Sequence, residues 1–219
     1  AFITEHKLTN KKVIEIGSGK GEYLELLNRC GVQGYGIEHK PESAYFCDDK
    51  NLNVYPIYLD HSAQTIPNHP YDAFCILNFF EHLPNPNKAL EAISNNISEE
   101  AIGLVEVPNF DMMLKHGLFS EFIGDHLFYF TEKTLSSTLE RNGFEVVNCE
   151  TVWYNYILSI TVKKRKSLDL SNFYAQQEKI TNQLHQYIDT FSEQSVAVYG
   201  AGHQALAVIA LSEIGPKLK

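Results

Sequence analysis

The chain has 219 residues, carries 18 Lys plus Arg against 27 Asp plus Glu for a net charge of −9, and is 44% hydrophobic. This composition excludes a disordered, fibrous or membrane-spanning chain, and leaves room for one large α/β domain and part of a second. The acidic balance argues against a nucleic-acid binder, because neutralising phosphates needs a clustered basic surface. The one dense basic run, Lys163-Lys164-Arg165-Lys166, follows an apolar stretch and reads as a solvated strand exit.

Cys30, Cys47, Cys75 and Cys149 form no C-x-x-C pair, so neither a zinc knuckle nor a disulfide framework is expected, and free thiols in a reducing cytoplasm are the default. No window approaches the ~18 consecutive apolar residues of a bilayer span, and no basic segment with an apolar run behind it opens the chain. A cytoplasmic protein without membrane attachment is expected.

Short apolar runs alternate with helical patterns from residue 13 to about 107, as βα units feeding a parallel sheet do. Val13–Ile16, Tyr35–Glu38, Val54–Leu59, Ala73–Asn78 and Ile102–Val107 read as five strands. Tyr23, Leu24, Leu26, Leu27 and Cys30 form one helical stripe, and Ala89, Leu90, Ala92 and Ile93 form another after the Pro84 and Pro86 turn. A further helix is expected from the capping residue Thr131 to Asn142, with Leu135 and Leu139 on one face and Gly143 in its left-handed C-terminal position. Phe144–Val152 and Tyr156–Val162 read as an antiparallel pair on one sheet edge. The sum is an α/β, doubly wound, mostly parallel seven-stranded sheet over residues 1–165. The Gln-rich stretch 166–194 reads as a helical connector running to about Phe191. Ser195–Val198, the Gly200-Ala201-Gly202-His203 turn and Gln204–Ile214 begin a second α/β unit over 195–219, which cannot bury its own faces alone.

Val13-Ile14-Glu15-Ile16-Gly17-Ser18-Gly19-Lys20-Gly21 is a strand running into glycines and then a helix, a turn that lets backbone N–H groups approach a ligand closely. A dinucleotide fingerprint would place its third glycine at position 22, which is Glu22. A carboxylate there repels a pyrophosphate, whereas Glu15 suits the amino-acid end of a cationic cofactor. Glu38 ends the second strand about 20 residues beyond the glycines, where a carboxylate can grip both ribose hydroxyls. Asp60 closes the third strand. The fourth ends in Asn78-Phe79-Phe80-Glu81-His82, at the ligand crevice of such folds, and a histidine beside a carboxylate is suited to taking a proton near neutral pH.

The stretch E-I-G-S-G-K-G resembles motif I of class I methyltransferases that use S-adenosylmethionine. Together with F-E-H-L-P-N-P, Glu106-Val107-Pro108-Asn109, Asp125-His126-Leu127-Phe128-Tyr129-Phe130-Thr131 and Val198-Tyr199-Gly200-Ala201-Gly202, it makes nearly the whole chain resemble the sugar C-methyltransferase type, which modifies nucleotide-linked sugars. The resemblance implies a Rossmann-like methyltransferase sheet followed by the start of a C-terminal Rossmann-like domain. It implies S-adenosylmethionine as cofactor, bound through Glu15, Gly17, Ser18, Gly19, Gly21, Glu38, Asp60 and Asn78, with Asp60 against the adenine amino group. Glu81 and His82 inherit an acid/base assignment, and His126 and Tyr129 a place in substrate contact or proton relay.

The implied partner is a small hydroxylated acceptor, a nucleotide-linked sugar or surface-polysaccharide precursor methylated on carbon or oxygen. Phe79 stands where sugar C-methylating members can hold a tyrosine. Those members usually carry a cysteine-rich zinc domain before the core, from which no zinc is carried over. A metal at Glu81, His82, Asp125 and His126 has the right residue types but no i, i+4 histidine pair, and displacement from a sulfonium needs no metal, so none is expected. Gly200-Ala201-Gly202-His203-Gln204-Ala205 fits G-x-G-x-x-A and reads as a structural turn. An NAD-dependent sugar oxidoreductase or epimerase, and a non-catalytic cofactor-binding module, are the alternative readings.

Overall fold

The computed structural model describes residues 1–40, 42–43, 47, 50–59, 64–166, 168–192, 195–200 and 202–219. After a short helix α1 (Phe2–Glu5), the apolar run before the glycines forms β1 (Lys12–Ile16), and α2 (Glu22–Arg29) follows them. Then come β2 (Gln33–Ile37), β3 (Asn53–Tyr55), β4 (Tyr71–Leu77), α3 (Pro86–Asn96), β5 (Ile97–Pro108), α4 (Phe110–His116), α5 (Glu132–Arg141), β6 (Phe144–Val152) and β7 (Ile157–Lys164). The seven strands make one sheet in the order β3-β2-β1-β4-β5-β7-β6. The pairs from β3 through β5 are parallel, while β7 runs antiparallel to both β5 and β6. Strand order reverses between β1 and β4, which opens a crevice at the carboxyl ends of these strands.

Alternation along the strands sorts the core onto two faces. Ile14, Ile16, Phe74, Ile76, Val105 and Val107 pack with Leu90 and Ile93 of α3 and Leu135 and Leu139 of α5. Val13, Ala73 and Cys75 face the other way, toward Ile3, Leu8 and Val32. The helices begin where their caps stand. Asn85 accepts the Lys88 N–H at 3.1 Å with Pro86 opening α3, and Thr131 and Thr134 form a reciprocal capping box on α5. Gly143 ends α5 at φ 86°, in the expected left-handed region.

Three strand limits differ from the expectation. The third strand stops at Tyr55 instead of Leu59, because Pro56 has no N–H to give the ladder and Ile57 turns back onto the Tyr55 carbonyl at 2.8 Å. The fourth ends at Leu77, since Asn78 takes a positive φ of 50°. The fifth is longer than expected and starts directly at the end of α3. Of the α2 stripe, Leu24 is fully buried, packed over Gly34 and Gly36 of β2, while Tyr23 and Leu26 stay exposed on a helix too short to cover more of the sheet.

Gly103 of β5 pairs with Phe74 of β4, and a methyl group at position 103 would fall 2.1 Å from the Phe74 ring. Gly103→Ala is therefore expected to destabilise the sheet by about 1–3 kcal/mol through overpacking, read as a lowered Tm, and Phe74→Leu in the same chain should recover part of the loss.

The chain divides into two compact units, Ala1–Lys166 and Ser167–Lys219. The second contains α6 (Ser171–Ile188) and α7 (His203–Leu211). His185 Nε2 meets the Ser212 carbonyl at 2.8 Å, and Lys217 pairs with Asp189 at 2.5 Å. The strand expected at Ser195–Val198 is reduced to a single bridge between Val196 and Leu218, because a lone βα unit offers no ladder for it to join. Among the described residues, no helix is long and apolar enough to cross a membrane.

Candidate active site

The turn after β1 is built on three left-handed glycines, Gly17, Gly19 and Gly21, at φ 76°, 52° and 80°. A side chain at 17 would collide with the Phe79 ring, 2.2 Å from the Cβ position, whereas the Cβ position of Gly19 has no atom within 4 Å. One side of the turn is thus packed and the other is a cradle. Gly17 and Ser18 donate their N–H groups to the Ile37 carbonyl at 3.0 Å each, and the Ser18 side chain is buried beneath Gly36, so Ser18 fastens the turn to the end of β2.

Glu38 follows β2 and is 5% exposed. Gly19 donates its N–H to Oε2 at 3.0 Å, and Lys40 donates its own to Oε1 at 2.9 Å. The carboxylate is held in place by backbone, with His39 Nδ1 3.2 Å from Oε1, and its Oε2 retains a lone pair for a diol. Beside it runs an apolar cleft lined by Ile37, Ile57, Tyr58, Leu59, Phe79 and Leu83.

Glu15 lies under the glycine turn, 2% exposed, and its Oε2 has no hydrogen-bond partner among the described residues. Burial, with the nearby Glu22 charge adding to it, pushes its carboxyl up to about 8. Two acids at this turn disfavour a pyrophosphate and favour a cation. The residues present fit an adenosyl amino acid: an ammonium for Glu15, a ribose diol for Glu38 and an apolar slot for a base. Asn78 is exposed at the end of β4, its N–H on the Glu106 carbonyl at 2.9 Å. Asp60 lies outside the described residues.

Next to this cradle, Phe80-Glu81-His82 form a short 3-10 turn. The Glu81 carbonyl accepts the N–H groups of Leu127 at 2.9 Å and Phe128 at 3.2 Å, which fastens the D-H-L-F-Y-F segment across the turn. Glu81 Oε1 therefore stands 3.9 Å from Nε2 of both His82 and His126, and the two imidazole centroids are 4.7 Å apart, edge to face. His82 Nδ1 lies 2.8 Å from the Asp125 carbonyl, which can only accept. That contact puts the proton on Nδ1 and leaves the Nε2 lone pair free. Burial raises the Glu81 carboxyl above the usual range, and burial next to His82 lowers His126, so both tend toward neutrality. The Phe79 ring spans from Gly17 to within 6.1 Å of the His82 ring, bringing the imidazole alongside the glycine turn.

Tyr129 is placed differently from Glu81, His82 and His126. Its ring centroid is 6.0 Å from that of His126, but its hydroxyl accepts the Ile123 N–H at 3.0 Å and reaches the Ile123 and Glu121 carbonyls, holding the loop rather than facing the imidazoles. Sequence reasoning missed Tyr156, whose hydroxyl donates to Glu121 and is pushed up to about 12 by that bond. Asn109, quoted in the Glu106–Asn109 segment without a role, caps α4 and donates Nδ2 to the Asn155 carbonyl at 2.9 Å. No motif pairs residues 35 or 46 positions apart; a tyrosine just before the last strand was the available signal.

A reversed-order parallel sheet closed by an antiparallel hairpin, with a glycine cradle and an acid on the next strand, defines the class I methyltransferase fold. Residues 1–148 match the family described as "Methyltransferase domain", and the chain belongs to that family. It is 25% identical over 146 residues to the C-methyltransferase NovU of Streptomyces niveus, an alignment covering 64% of this chain and 34% of that protein, so the chain spans about a third of its relative's length. A SAM-dependent methyltransferase from Aquifex aeolicus superposes with TM-score 0.59 at 18% identity, over 74% of this chain and 87% of the other. The 1,6-didemethyltoxoflavin-N1-methyltransferase of Burkholderia thailandensis, solved with bound 1,6-didemethyltoxoflavin and S-adenosylhomocysteine, gives a TM-score of 0.59 at 16% identity over 75% of this chain and 76% of the other.

Proposed function

We propose that the chain transfers a methyl group from S-adenosylmethionine to a small hydroxylated acceptor, a nucleotide-linked sugar or another precursor of surface polysaccharide, in the cytoplasm. S-adenosylmethionine supplies an electrophilic methyl on a sulfonium. Glu38 orients the ribose, Glu15 receives the ammonium, and the apolar cleft beside Ile37 and Leu59 takes the base. The observation that carries the reading is the contact of His82 Nδ1 with the Asp125 carbonyl at 2.8 Å, which turns Nε2 toward the site beside the glycine cradle. His82 takes the acceptor's proton, from a hydroxyl or from a carbon next to a carbonyl, while the Asp125 carbonyl on Nδ1 holds the ring in place. Holding the acceptor in line supplies much of the rate, since near-attack alignment is worth roughly 7–11 kcal/mol.

Calorimetric titration with S-adenosylhomocysteine, with NAD in parallel, tests the cofactor half. Saturable binding of the first is expected. Glu38→Ala should weaken it roughly 10- to 150-fold, because hydrogen bonds to a charged group contribute about 1.5–3 kcal/mol. Binding of NAD alone would overturn the reading. Turnover with candidate nucleotide sugars then tests the acceptor half.

A further inference from the structure

We propose that Glu81, His82 and His126 form a binding site for one divalent first-row transition-metal ion, and that the ion and the acceptor's proton compete for the same His82 nitrogen. One ligand atom from each residue lies within 4.8 Å of the others. Three features mark the cluster as more than a chance gathering. First, the ligands are the two-imidazole, one-carboxylate set that suits zinc, cobalt, manganese or iron. Second, His82 already has the arrangement of a metal-ligating histidine: Nδ1 gives its proton to a backbone carbonyl at 2.8 Å, and the bare Nε2 points at the partner ligands. Third, Glu81 is 2% exposed and its Oε2 has no hydrogen-bond partner among the described residues.

The two imidazole nitrogens face Glu81 Oε1 at 3.9 Å, too far for hydrogen bonds. Bonds of about 2.0–2.2 Å from ligand to ion bridge such a gap with little closure. Three protein ligands leave further positions open for water or an acceptor oxygen. In the ion-bound state His82 Nε2 is occupied and cannot accept a proton, so occupancy arrests the methyl transfer proposed above. This consequence rests on that reading, whereas the site itself does not.

Cobalt(II) titrated into the chain already saturated with S-adenosylhomocysteine tests the site through the visible absorption of the bound ion and through calorimetry. One ion per chain is expected, displaced by zinc and removed by a chelator. Glu81→Gln and His126→Asn should each weaken it about tenfold or more, while still binding S-adenosylhomocysteine as the wild type does, which shows that they fold. No saturable cobalt binding, or binding of unchanged strength in both variants, would overturn the site. S-adenosylhomocysteine affinity reads the methyltransferase assignment separately, so the two can fail independently. Turnover that persists with the site filled would overturn the competition.

Discussion

His82→Asn is expected to lower kcat by about 10²- to 10⁴-fold while leaving S-adenosylhomocysteine affinity unchanged. The range is that of a positioned general base. An asparagine amide stands near the Nδ1 position and can keep donating to the Asp125 carbonyl, so the loop stays fastened, but nothing replaces the Nε2 lone pair. His82→Gln makes the complementary change, with an amide near Nε2 that cannot titrate, and should lose turnover to a similar extent. Single-turnover rates for both variants, with the cofactor saturating, separate chemistry from binding. If either variant keeps wild-type turnover, His82 is not the proton acceptor.

Cofactor affinity is expected to rise about fifty- to a hundredfold between pH 6 and pH 9 and then to level off. With its carboxyl at about 8 in the free protein, Glu15 is mostly protonated at pH 7, and receiving an ammonium requires it to ionise. Binding therefore releases a proton, which calorimetry in buffers of different ionisation enthalpy reads directly. Glu15→Gln should flatten the profile.

Stability in the absence of cofactor moves the other way. Because the folded value lies above the unfolded one near 4.5, the group's contribution to folding is complete below about pH 4.5 and is lost as pH rises toward 8. Glu15→Gln is accordingly expected to melt above wild type at pH 8 without ligand, and to gain less than wild type when S-adenosylhomocysteine is added. A wild-type affinity that does not change with pH would remove Glu15 from the ammonium site.

The sheet was legible because each strand through β5 carries a continuous apolar run of the kind that a parallel strand buried on both faces requires. Glu15, the glycines and Glu38 were legible because their spacing follows from backbone geometry: a turn with positive φ, then the end of the adjacent strand. The limits of β3 and β4 turned on single residues, Pro56 and Asn78, that an apolar pattern does not weigh. Glu81 and His82 could be proposed from their place after β4, but the approach of His126 depends on two backbone hydrogen bonds across 46 and 47 positions, which no local pattern encodes. The partners of the Tyr129 hydroxyl were hidden for the same reason. An aromatic beside a histidine suggests a relay, yet the hydroxyl serves the backbone of its own loop.

The stretch from Met112 to Gly124 lies between two fixed points. Upstream, Phe110 donates its N–H to the Phe130 carbonyl at 3.0 Å, and downstream Leu127 and Phe128 are fastened to Glu81. Between these moorings Leu114 and Phe119 are exposed, on a segment whose two ends are held by backbone hydrogen bonds. On the function proposed above, a change of acceptor would fall on this segment, and the groups proposed to handle the proton would be carried over with the turn that holds them.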